Sequence, residues 1–384
     1  MDYWPFLIFA TIFGACVGSF LNVVIYRLPA GKSLVLPGSH CPACGKALKW
    51  WENVPVFAWF YLRAKCRYCR AKISVQYPLI EAATGLLFGG LFWSYYIAGW
   101  HPGFTDASIA QTWPIFAVHL ALLASLLAAT VIDAKLYIIP LEIPWLITAV
   151  AVVVLPISTL RLPPSSTSQL VPTLSSGPLA AAAMGGVIGI IIANLLLHYR
   201  WLPRSFESHE ALRGQAAEAE AGPPTLTYPH PRREVAKECL FLFWPVLGAV
   251  IGYAAACGFG HDAQLPVWLT VFAGVMAGYL IGGGLLWITR ILGTLAFGKE
   301  AMGLGDVHLL AAVAAVLGPR DAVVVFFLAP FLALLGTFAI SGVGRLIRGR
   351  GSVIPYGPYL AAMTAALMIA RQPIWHAISV IFYR

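Results

Sequence analysis

Two aspartates stand where an apolar chain has no structural need of them. Asp133 ends the apolar run Ala121 to Ile132, and Asp306 follows Gly303-Leu304-Gly305 and precedes the run Val307 to Leu317. A carboxylate at or in a bilayer is costly and by default marks function. Two carboxyls brought close together share one proton, because like charges within a few ångströms disfavour ionising both. One can then take a proton from a water that attacks a peptide carbonyl, while its protonated partner polarises that carbonyl and helps protonate the leaving amine. That chemistry is aspartyl proteolysis without a covalent intermediate. Taken singly, each aspartate reads as a helix cap or an interfacial charge in water. Gly303 and Gly305 would let the backbone approach a substrate strand or unwind the helix start beside Asp306.

A second constellation is Cys41-Pro42-Ala43-Cys44-Gly45 with Cys66-Arg67-Tyr68-Cys69, two CxxC pairs separated by 21 residues. The spacing is close to that of four-cysteine zinc sites. Each pair offers two thiolates from one tight turn, and Lys46, Lys65 and Arg67 help offset their charge. Four cysteines leave no open coordination position, so the zinc expected here is structural. Disulfides are the other reading, disfavoured in a reducing compartment. Cys16, Cys239 and Cys257 lie in apolar runs and read as packing residues.

These groups must be positioned by membrane spans. The 384 residues are 59% hydrophobic and 11% charged, with a mean hydropathy of +0.79, whereas soluble chains carry roughly 25% charged residues. The run from Trp4 to Tyr26 lacks a basic leader and a small-residue cleavage site, and reads as a retained first span. From Arg27 to Lys72 nine Lys or Arg face the single acid Glu52, which places that segment in the cytosol and the N-terminus outside. Alternation then gives further spans near 79–100, 114–133, 143–160, 179–199, 239–257, 266–290, 304–318, 321–344 and 353–371, ten in all. The expectation is an all-α, polytopic integral membrane protein. Its parts are a first transmembrane helix (1–26), a cytosolic zinc-binding module (27–78) and a transmembrane core (79–384) with a cytosolic insertion near 200–238. Arg345, Arg348 and Arg350 fall inside, and the uncharged, Ser- and Pro-rich segment after Arg161 falls outside. The net charge of +9 reports topology rather than nucleic-acid binding.

Five blocks, in order, resemble the type IV prepilin peptidase family. They are Gly18-Ser19-Phe20-Leu21-Asn22-Val23-Val24-Ile25-Tyr26-Arg27-Leu28-Pro29, the paired CxxC module, and Gln76-Tyr77-Pro78-Leu79-Ile80-Glu81-Ala82-Ala83-Thr84-Gly85. Ile132-Asp133 with Lys299-Glu300-Ala301-Met302-Gly303-Leu304-Gly305-Asp306 follows, and then Ile354-Pro355-Tyr356-Gly357-Pro358-Tyr359-Leu360. The resemblance implies a membrane aspartic endopeptidase of the bacterial inner membrane. Such an enzyme cuts the short basic leader from type IV prepilins or type II secretion pseudopilins, and N-methylates the new terminus from S-adenosylmethionine. Asp133 and Asp306 match the family's catalytic pair. A site at the cytosolic edge suits a substrate whose apolar helix lies in the bilayer while its leader stays in the cytosol, although the basic segment 27–72 should repel that leader. Methylation rests on the resemblance alone, since no Gly-rich loop between strand and helix marks a cofactor fold.

The chain departs from the pattern twice. His308 stands where the family usually has Lys, and it either changes the local proton affinity or faces lipid headgroups. Asp133 and Asp306 are separated by an extra pair of apolar runs and the 200–238 insertion, which compact members lack. Asn22 and Glu81 read as interhelical hydrogen-bonding groups, Gly14 and Gly18 as a helix contact, and Gly282-Gly283-Gly284 as a contact or a point of flexibility. His261 and Asp262 read as solvated loop residues. The alternatives are a diaspartyl intramembrane protease with other substrates, or a transporter or scaffold using the aspartates for ion or partner contacts. A transporter should place charges near the bilayer midplane and often carries inverted repeats, and neither is seen.

Overall fold

The computed structural model describes residues 3–206, 230–258, 265–347 and 355–382. Most of the expected insertion, together with His261, Asp262, Arg348, Arg350 and Ile354, lies outside the described residues. Among those described, every regular element is helical. In order they are α1 (Trp4–Arg27), α2 (Phe57–Tyr61), α3 (Gln76–Phe92), α4 (Pro102–Thr105), α5 (Ile109–Leu136), α6 (Glu142–Ser158) and α7 (Pro164–Leu170). There follow α8 (Gly177–His198), α9 (Pro231–Gly258), α10 (Val267–Phe297), α11 (Leu304–Leu317), α12 (Pro319–Ile347), α13 (Gly357–Ile369) and α14 (Arg371–Phe382).

Each expected apolar run coincides with a helix, and six helices are long and apolar enough to cross a membrane by length and composition: α1, α5, α8, α9, α10 and α12. The others are shorter for identifiable reasons. At about 1.5 Å per residue α11 extends only about 21 Å, less than the roughly 30 Å of a bilayer core. Its apolar side chains serve the protein interior instead, with Leu309 through Val316 all 1% exposed or less. α3 is prolonged by a wide turn over Trp93–Ile97. α14 was not foreseen, because its sequence mixes Arg371, Gln372 and His376 with apolar residues.

Small residues set the helix contacts. A Cβ on Gly14 would fall 2.8 Å from the Phe88 Cβ, and one on Gly18 2.7 Å from the Glu81 Cα, so α1 and α3 meet as the sequence suggests. Asn22 joins them by donating to the carbonyls of Gly18 at 3.2 Å and Tyr77 at 3.3 Å. Helices α8 and α9 form a tighter pair: a Cβ on Gly185 would lie 2.1 Å from the Gly248 carbonyl oxygen, and one on Gly252 2.3 Å from that of Ala181. Of the three consecutive glycines in α10, Gly282 and Gly283 face α11, while Gly284 faces open space.

Candidate active site and metal centre

α5 stops one turn after Asp133. Tyr137 takes a left-handed conformation (φ 56°), its N–H bonds the Asp133 carbonyl at 2.9 Å, and Pro140 prevents resumption. Asp133, 6% exposed, thus occupies the last turn of its helix. Asp306 occupies the first turn of α11, which begins directly after Gly303. Both aspartates border a single cavity of about 1790 Å³.

The segment Ile138-Ile139 lies between them. A Cβ on Gly305 would stand 2.7 Å from the Ile139 Cβ, and a Cβ on Gly357 would stand 2.7 Å from Asp133 Oδ2 and 2.9 Å from Ile139 Cδ1. Gly305 and Gly357 are therefore required by close approach within the protein, where the sequence alone suggested an approach by substrate or an unwound helix start. Gly303 sits beside the carboxylate, since a Cβ there would lie 3.3 Å from Asp306 Oδ2.

His308 does not face lipid headgroups. It is turned inward onto the cavity wall, sharing a 2.8 Å hydrogen bond with the Tyr279 hydroxyl and meeting Trp145 edge-on. The ring is held by two neighbouring helices, Tyr279 lying on α10 and Trp145 on α6. Glu81 accepts a 2.6 Å hydrogen bond from the Val56 N–H, tying α3 to the start of α2 as well as bordering α1. Cys16 and Cys239 are exposed on outer helix faces rather than packed.

One network was not legible in the sequence. Arg290, 3% exposed, donates at 2.8 Å to Glu238 of α9 and at 2.8 Å to Glu300, and also to the carbonyl of Met302, next to Gly303. Trp287 adds a 3.1 Å bond to Glu238. The guanidinium thus anchors the α10–α11 loop leading to Asp306. The only available signal was an arginine inside an apolar run. Four acidic and four basic side chains line the cavity, so it does not share the basic excess of the chain.

The cysteine pairs come together as the spacing suggests. The four sulfurs lie within 4.8 Å of one another, with Cys41 and Cys69 at 3.8 Å. Tetrahedral zinc with bonds of about 2.3 Å requires sulfur separations of about 3.8 Å, so the donor set fits that ion. The two knuckles are alike: Gly45 donates to the Cys41 carbonyl and Arg70 to that of Cys66, with φ of 70° and 61°. The Cys66 thiol is lowered to about 7, chiefly by the backbone N–H groups of Cys69 and Tyr68. Buried Glu52 accepts from the Lys49 N–H at 3.0 Å and pairs with Arg67 at 3.6 Å.

Two segments match known families. Residues 12–95 match the bacterial Peptidase A24 N-terminal domain, and residues 237–338 match the type IV leader peptidase family. The first holds the cysteines and the second holds Asp306, while Asp133 lies between them. Curated relatives are named prepilin leader peptidase/N-methyltransferase. That of Myxococcus xanthus is 57% identical over 83 residues, covering 22% of this chain and 25% of the relative. That of Stutzerimonas stutzeri is 39% identical over 141 residues (30% and 46%), and that of Neisseria gonorrhoeae 36% over 171 (37% and 54%). The chain spans from a quarter to about half the length of these relatives. No solved structure matches it. In these two segments the chain is similar to the bacterial Peptidase A24 N-terminal domain and to the type IV leader peptidase family.

Proposed function

We propose that the protein is a prepilin leader peptidase of the bacterial inner membrane. It cleaves the short basic leader of type IV prepilins or type II secretion pseudopilins at the cytosolic face, and N-methylates the new terminus with S-adenosylmethionine. The observation that carries this reading is that Asp133 and Asp306, far apart in sequence and on different helices, border one cavity. The names of the relatives support the substrates and the methylation. In this reading ten helices span the bilayer with the N-terminus outside. Residues 1–26 form the first span, 27–78 a cytosolic module built on structural zinc at Cys41, Cys44, Cys66 and Cys69, and 79–384 the peptidase core with its insertion near 200–238.

We give the two aspartates different tasks. A helix N-terminus favours negative charge and a C-terminus disfavours it, by about 0.3–1 kcal/mol each. In this reading Asp306, in a first turn, is the base that takes the proton from water. Asp133, in a last turn, is the acid that polarises the scissile carbonyl and gives its proton to the leaving amine. Arg290 holds the loop before Asp306 in place. Zinc, when bound, ties the two knuckles together without taking part in the cleavage. With Asp133 protonated the lining keeps three carboxylates against four cations, a smaller basic excess than the nine cations against one acid of segment 27–72.

The test is leader cleavage of a prepilin by purified protein in detergent, read by mass spectrometry. Wild type should release the leader and add a methyl group when S-adenosylmethionine is supplied, and Asp133→Asn and Asp306→Asn should each leave the substrate intact. Undiminished cleavage by either variant would remove that residue from the mechanism.

A further inference from the structure

We propose that the apolar groove between α9 and α10, closed on one side by α8, receives the substrate's own transmembrane helix while its leader lies at the aspartates. The inference rests on the peptidase reading. Size comes first: pockets for small ligands measure about 300–1,000 Å³, and this cavity measures about 1790 Å³. A helix about 10 Å across rises 1.5 Å per residue and so occupies roughly 120 Å³ per residue, which makes the space equal to about four helical turns.

Polarity follows the same order as the substrate. The part lined by α8, α9 and α10 carries its charges at one end, at Lys237, Glu238 and Arg290. Beyond them it continues through Phe241, Val246, Leu280 and Ile288 without a charged side chain. A chain with a polar leader followed by an apolar helix has this sequence of polarities. Val246 and Ile288 are 61% and 57% exposed, so the groove opens sideways, as entry from a bilayer requires. Gly284 borders it, and a Cβ there would meet nothing within 4 Å, so this small residue is not explained by packing inside the protein.

Gly284 supplies the test, because a large side chain there enters the groove without displacing protein atoms. Gly90 on α3 is the matched control, equally unobstructed but away from the cavity. Cleavage kinetics on a full-length prepilin would be measured for wild type, Gly284→Phe and Gly90→Phe, with thermal unfolding in parallel. Loss of substrate-helix binding alone should raise KM at least about tenfold in Gly284→Phe, leave its kcat within about twofold, and leave Gly90→Phe near wild type. Unchanged KM in a folded Gly284→Phe would overturn the proposal and leave the groove to a lipid chain. A fall in kcat without a rise in KM would overturn it too, by showing a disturbed dyad. Wild type that cleaves no prepilin would instead remove the peptidase reading, and the groove assignment with it.

Discussion

Arg290 shows how a single side chain can matter more to the site than its place in an apolar helix suggests. It compensates two carboxylates that are themselves almost fully buried. Removing one partner from such a buried set leaves uncompensated charge and costs about 3–5 kcal/mol. Arg290→Met is therefore expected to lower the thermal unfolding temperature markedly and to abolish cleavage, whereas exposed Arg232→Met should change neither. At the cysteines, metal binds thiolate. Protons compete with the metal for the sulfurs, so zinc affinity should fall as the pH drops. Zinc retained after dialysis against chelator, between about pH 8 and pH 5, should decline toward acid, and Cys66→Ser should lower retention throughout. The aspartates and cysteines were legible in sequence because their types are so uncommon in such surroundings. The Arg290 network was not, since Glu238, Arg290 and Glu300 come from three segments that only the fold brings together.

Among the elements, hydropathy located the helices but not their ranks. The runs that became α9 and α11 read alike, yet α9 is largely exposed and α11 almost wholly buried. That distinction depends on which helices surround each one. Glycine pairs were more informative: Gly14 and Gly18 marked the α1–α3 contact, and Gly185 and Gly248 mark that of α8 and α9 at even closer range. Because the opposing atom at Gly248 is a backbone carbonyl, side-chain repacking cannot absorb a larger residue. Gly248→Leu should cost about 1–3 kcal/mol or more, seen as a lower unfolding temperature. If the pair walls the substrate groove, prepilin KM should rise in the same variant. An unchanged unfolding temperature would contradict the packing described.

For the whole molecule, the proposed orientation rests on lysine and arginine placement. An impermeant thiol reagent applied to intact cells should label Ser175→Cys, in the exposed segment before α8, and should not label Ser74→Cys, next to the cysteine module. The reverse pattern would invert the topology and move the site to the other face. Sequence indicated the helical architecture and singled out Asp133 and Asp306, but that both border one cavity depends on how the fold places the end of α5 and the start of α11. The central claim is that Asp133 and Asp306 act as one unit. The most direct measurement is the single-turnover cleavage rate of Asp133→Asn, Asp306→Asn and the double variant. Residues that share a step are strongly non-additive, so all three rates are expected to fall to one common residual level. Losses that multiply in the double variant, or a single variant that keeps most of its rate, would contradict the paired mechanism.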